Sequence, residues 1–141
     1  MTLPAISELI PHRPPMLLLD RVLQFEADRV VCSARPTAGS IFARQRAIPA
    51  VVMLEYMAQA TAVCLALARP EPGNPAAFGL LVAARRLTLK SAELAFDTEL
   101  TVVAALTAAL GEGASFDCHV DAAGSNLASA QLTVFVPSER V

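Results

Sequence analysis

AIPAVVMLEYMAQATAVCLALA, residues Ala47 to Ala68, is the stretch that any architecture for this chain must accommodate. Its length and hydrophobicity raise the question of a membrane span. Glu55 and Gln59 sit near its middle, however, where an unpaired carboxylate in hydrocarbon costs at least about 2.5 kcal/mol, and the flanks carry no charge bias that would orient a span. A soluble helix that is apolar nearly all round is instead a helix surrounded by protein. Pro49 suits its first turn, and PEPGNP from Pro70 stops it.

Segments of strand character lie on both sides of this helix: Met16–Glu26, Arg29–Arg35, Phe78–Lys90, Glu99–Leu110, Ser115–Ala122 and Leu127–Pro137. Phe116, Cys118 and Val120 alternate with Asp117, His119 and Asp121, and Leu100, Val102, Ala104 and Leu106 are expected to share a face with Leu110. Propensity alone would allow a helix over the Ala-rich run Val102–Leu110, but alternation and the Thr/Val content favour a strand. AAGSN (122–126) and GEG (111–113) read as turns. Ile6–Ile10 fits a single helical turn before Pro11. The order predicts an α+β fold, an antiparallel sheet wrapped around a long central helix. One sheet cannot hide a helix that is apolar on every side, so part of the helix or a sheet edge should meet a second subunit.

The chain's 141 residues leave room for one domain, residues 1–141, and its 55% hydrophobic content is rich for a monomeric globule. Eleven Lys and Arg against thirteen Asp and Glu give a net charge of −2, with no basic block to neutralise phosphates, so nucleic acid is not an expected partner. Cys32, Cys64 and Cys118 are widely spaced and read as free thiols of a reducing compartment, without metal-ligand spacing. MTLPAISELIPHRPP lacks the features of a secretory signal, and a soluble cytoplasmic protein is expected. No Gly-rich phosphate loop or nucleophile elbow appears, and no cofactor is implied.

Glu55 is the most informative residue. Gln59 follows at i+4 on the same face, so their side chains should converge. A carboxyl desolvated there tends to have a raised pKa, which suits proton transfer near neutral pH. A purely structural polar seam is the competing reading. The helix start at Pro49, Ala50 and Val51 offers amides and a positive dipole end for a carbonyl oxygen.

PHRPPMLLLDRV (11–22) together with IPAVVMLEYMAQA (48–60) resembles the 3-hydroxyacyl-[acyl-carrier-protein] dehydratases, which have the hotdog fold. The resemblance implies removal of water from carrier-bound 3-hydroxyacyl thioesters, with a histidine of one subunit and an acid of the other working across a dimer interface. Glu55 matches the acid, Gln59 the motif glutamine, and Pro49–Ala50 the helix-opening Pro-Gly pair. The family's histidine, expected a few residues before Pro49, is missing: residues 40–47 read SIFARQRA. His12 belongs to the motif that the family uses structurally, and is kept as a second catalytic candidate; His119 is expected on the solvent face of a strand. The helix, SFDCHV and LASAQLTVFVP are similar to a divergent aryl-polyene-type subgroup, in which a histidine-bearing dehydratase pairs with a partner lacking it.

Phe42, Met53, Tyr56, Met57 and Phe78 are candidates for an acyl tunnel, with core packing as the alternative. Arg85, Arg86 and Lys90 are candidates for docking an acidic acyl carrier protein. Asp20 and Arg21 suggest an ordinary ion pair. Two other functions stay open: a non-catalytic acyl-binding or assembly subunit, and a thioesterase on the same fold, which needs an acid or base to activate water. Homodimer and heterodimer are both compatible with the sequence.

Overall fold

The computed structural model describes residues 2–69 and 79–137. A short helix, α1 (Ile6–Leu9), precedes a hairpin of β1 (Arg21–Glu26) and β2 (Arg29–Ala34). The short β3 (Ala47–Pro49) leads through a 3₁₀ turn, Ala50–Val52, into α2 (Met53–Ala68). Five strands follow: β4 (Leu80–Leu89), β5 (Glu93–Ala95), β6 (Leu100–Leu110), β7 (Gly113–Ala122) and β8 (Ser125–Phe135). Six of the strands form one antiparallel sheet in the order β1-β2-β6-β7-β8-β4, and β3 pairs with β5 in a separate ribbon.

Small residues on the inner face explain why the sheet can wrap α2. Val30, Ala104, Cys118 and Ala130 stand in one cross-strand row over β2, β6, β7 and β8, all buried. Three of the four are small, so the helix seats closely along the middle of the sheet. Phe116, Val120, Leu132 and Val134 flank them, each contributing roughly 1.5–3 kcal/mol when fully buried. From α2, Met53, Tyr56, Met57, Ala60, Val63 and Cys64 are buried. Ala27–Asp28 and Ala123–Gly124 close tight hairpins with positive φ at both central residues; the second is the turn expected at AAGSN.

The expected α+β sheet around a helix is observed, with four local corrections. Met16–Asp20 is not strand, because the Leu18 N–H is taken by the Gln59 side chain. The helix does not begin at Ala47, since Ala47–Pro49 ladders with β5, and these two strands of three residues each are too short to show a period. Leu110 does not share the buried face of Leu100 and Val102: a register shift between Leu106 and Ala108 turns it out, 89% exposed. Finally, α2 is buried along one side only. Leu54, Ala58, Ala62 and Leu65 are half-buried, and half of the apolar Ala50–Ala68 segment lies inside the fold, as a core helix requires rather than a span.

Candidate active site

Glu55 lies in the first turn of α2, where a carboxylate is favoured by the helix dipole. Gln59, one turn later, is completely buried, and its amide is fully used. Its Nε2 donates to Glu55 Oε2 at 2.7 Å and to the Met16 carbonyl at 2.8 Å, while its Oε1 accepts the Leu18 N–H at 3.0 Å. One side chain therefore straps the 16–18 segment to α2 and fixes the carboxylate beside it. The expected convergence of Glu55 and Gln59 is thus present.

The strapped segment also delivers a residue that sequence spacing could not place. His12 Nε2 stands 3.8 Å from Glu55 Oε2, outside hydrogen-bond reach but within range of a charge interaction if the imidazole is protonated. The Arg13 guanidinium donates to the Ile10 and His12 carbonyls at 2.9 and 2.7 Å, which fixes the turn that carries the imidazole. His12 Nδ1 is buried without a hydrogen-bond partner. Glu55 and His12 side chains are 34% and 30% exposed. The full desolvation expected for a carboxyl inside an apolar helix is not observed, because this side of α2 borders an open cleft at the β4 edge of the sheet.

That cleft, about 180 Å³, has Glu55 and His12 on its wall. From there Ala58, Ala62 and Leu65 continue along α2, facing Leu81 of β4 and Val134 of β8. Sequence reading missed these lining residues, since alanine in a helix reads as mere filler. Four of the expected tunnel residues fall elsewhere. Tyr56 is 2% exposed and packs in the core, where burial pushes its hydroxyl up to about 12, and Phe42 packs against the core from the loop before β3. Neither lines the cleft, and Met53 and Met57 are core as well. Phe78 lies outside the described residues.

At the helix start, the Ala50 N–H donates to the Ala92 carbonyl at 2.9 Å and Pro49 has no N–H, so two of the three expected carbonyl-binding positions offer no amide; Val51 is 54% exposed. Residues 40–47 contain no base, and Arg44, Gln45 and Arg46 are exposed. Arg85, Arg86 and Lys90 are exposed along and just after the edge strand β4. His119 pairs with Asp121 at 3.4 Å on β7, away from the cleft. Among the described residues no ion pair joins Asp20 to Arg21; desolvation pushes the Asp20 carboxyl up, while Arg35 and Arg21 pull it back. All three cysteines are free and buried, and among the described residues no three metal-ligating side chains gather.

Comparison with known proteins agrees with this frame. The ApeP-like family, described as ApeP dehydratase, matches residues 4–141. The chain belongs to the ApeP-like dehydratase family. It is also 37% identical over 105 residues to the 3-hydroxyacyl-[acyl-carrier-protein] dehydratase FabZ of Moorella thermoacetica, covering 68% of this chain and 73% of that one. The FabZ of Anaeromyxobacter dehalogenans is 44% identical over 64 residues, 41% of each chain. The chain spans about half the length, or less, of most of the curated relatives it matches. Among solved structures, the dehydratase heterocomplex ApeI:P from Xenorhabdus doucetiae superposes with a TM-score of 0.89 at 22% identity, covering 98% of this chain and 94% of that one. The fold is therefore the hotdog fold expected from the two motifs.

Proposed function

We propose that this protein is a 3-hydroxyacyl-[acyl-carrier-protein] dehydratase-like subunit and that Glu55 is its working carboxyl. The observation that carries this reading is the Gln59-braced Glu55, beside His12, at one end of a cleft that continues along the apolar Ala58, Ala62, Leu65, Leu81 and Val134. Such a site suits a ligand with a polar reacting end and an aliphatic tail. In the reaction, a base takes a proton from C2 of the thioester, the C2–C3 double bond forms, and the C3–O bond breaks. Glu55, in its carboxylic acid form, hydrogen-bonds the 3-hydroxyl and supplies the proton with which it leaves as water, and the proton taken by the base afterwards returns to Glu55. The base comes from a histidine of a paralogous dehydratase in a dimer, since residues 40–47 hold none. Of Pro49, Ala50 and Val51, Val51 alone is left open to the thioester.

Two further features support a dimer. The edge strand β4 is exposed along almost its whole length, with Leu80, Val82 and Leu87 uncovered, an edge that calls for a covering partner. In addition, the similar ApeI:P structure is a dehydratase heterocomplex. Arg85, Arg86 and Lys90 then form a basic rim for an acidic acyl carrier protein in the cytoplasm, with attraction that weakens as salt rises.

The test is reconstitution. Alone, the protein shows little dehydration of 3-hydroxyacyl carrier substrates; adding a histidine-bearing dehydratase raises the rate above that of either chain, and Glu55→Ala removes the increase. No increase on mixing overturns the shared site. Persistent acyl-carrier binding with a silent Glu55→Ala would assign a non-catalytic binding subunit, and release of free thiol from acyl thioesters would assign a thioesterase. The position of His12 supports a second reading, in which His12 and Glu55 form the acid–base pair within one protomer. Activity of the chain alone, lost in His12→Gln, would select it.

A further inference from the structure

The cleft that begins at Glu55 follows one stripe of α2. Positions 55, 58, 62 and 65 are spaced by three or four residues and therefore share a helix face. All four line the cleft. At 1.5 Å per residue, the stripe from Glu55 to Leu65 extends about 15 Å, a length suited to an extended ligand rather than a compact one. Its chemistry changes along the way. The carboxylate and imidazole stand at the start, two alanines form the middle, and a leucine comes last.

The middle is lined by the smallest side chains on the stripe. Ala58 and Ala62 contribute a single methyl each, opposite the bulky Leu81 and Val134. Thr61, beside them, donates its hydroxyl proton to the Ala58 carbonyl at 2.6 Å, so that proton is not offered to a ligand. Ala58 and Ala62 thus make this wall small and apolar, which admits methylene groups.

We propose that Ala58 and Ala62 set the bore of an acyl groove and that Leu65 sets its depth, so that these three residues determine which acyl chains the protein accepts. This rests on the dehydratase-like reading for the identity of the ligand as an acyl thioester. A short acyl group ends beside Ala58, and a longer one passes Ala62 toward Leu65.

Binding of butyryl- and decanoyl-pantetheine to the full chain, alone and in complex with a histidine-bearing dehydratase, tests the assignment without requiring turnover. Ala62→Leu is expected to weaken decanoyl binding at least about tenfold, the loss of roughly two buried methylenes, and to leave butyryl binding unchanged. Ala58→Leu weakens both, and Leu65→Ala strengthens binding of the longer chain. Equal effects of Ala62→Leu on the two probes, or none on either, overturn the proposal. Should that variant fail to fold, Leu65→Ala decides alone, and an unchanged decanoyl affinity overturns it. Chain-selective binding without any dehydration would keep the groove and remove the dehydratase reading. Dehydration with a chain-length profile that the substitutions do not alter would do the reverse.

Discussion

The two faces of α2 are built from nearly the same amino acids and do different things. Toward the sheet, Met57, Ala60, Val63 and Cys64 are completely buried. Toward the cleft, Glu55, Ala58, Ala62 and Leu65 are half-covered and line open space. Hydrophobicity does not separate them, since Ala and Leu occupy the open face as readily as Ala and Val occupy the closed one. The separation comes from which side the small-residue row of the sheet can reach. Gln59 joins the two faces, buried itself yet holding the exposed carboxylate.

Two substitutions test whether the division is real. Glu55→Gln keeps a group that can accept the Gln59 hydrogen bond but lacks an acidic proton, so dehydration by the reconstituted complex falls about 10²- to 10⁴-fold. The urea midpoint moves little, because the position is partly open to solvent. Met57→Ala does the opposite: it opens a cavity in the closed face and removes about 2–5 kcal/mol of stability, measured by urea unfolding, while the folded fraction retains its activity. If Glu55→Gln unfolds the protein, or if Met57→Ala is silent, the faces are not divided as described.

Gln59→Ala falls between these two and sharpens the comparison. It leaves the Met16 carbonyl and the Leu18 N–H without their partner and frees the Glu55 carboxylate. A loss of roughly 2–4 kcal/mol is expected from unsatisfied groups and the lost amide volume, accompanied by a lower kcat. Unaltered kcat at low denaturant would show that Gln59 serves the fold alone.

The closed face was easier to read from the sequence than the open one. Alternation in β7 and β8 marks the inner residues directly, and a Glu and a Gln at i, i+4 in an apolar helix announce a polar corner. His12 is visible as part of a motif, but its approach to Glu55 depends on a strap made by Gln59 to residues more than forty positions away in sequence. The same strap diverts Leu18 from the strand that MLLLD suggests. Tyr56, Met53 and Met57 read as tunnel candidates because every apolar residue on a core helix looks equally available until the sheet takes one side. For the same reason the alanines that line the cleft gave no signal. β3 and β5 are too short for periodicity, and Leu110 is turned out by a bulge that the local residues do not specify.

The smallest effect concerns the thiols packed in the closed interior. Burial pushes Cys32 and Cys118 up to about 12 and Cys64 to about 11, whereas an unfolded chain ionises its thiols near 8.5. The folded state thus holds these protons more tightly than the unfolded state does. Their contribution to stability is fully present below about pH 8.5 and is lost as pH rises through 11 to 12, so that only its onset is felt just above pH 8.5. Urea midpoints should therefore stay level from pH 7 to 8 and then fall, and the triple substitution Cys32→Ala, Cys64→Ala, Cys118→Ala should flatten the decline even though it lowers stability at pH 7 through lost volume. Alkylation at pH 8 gives the same contrast kinetically, since a thiol must be both ionised and exposed to react. Modification should track the unfolded fraction as urea is added. Rapid labelling of the native protein would mean that the side of α2 facing the sheet is as accessible as the side facing the cleft.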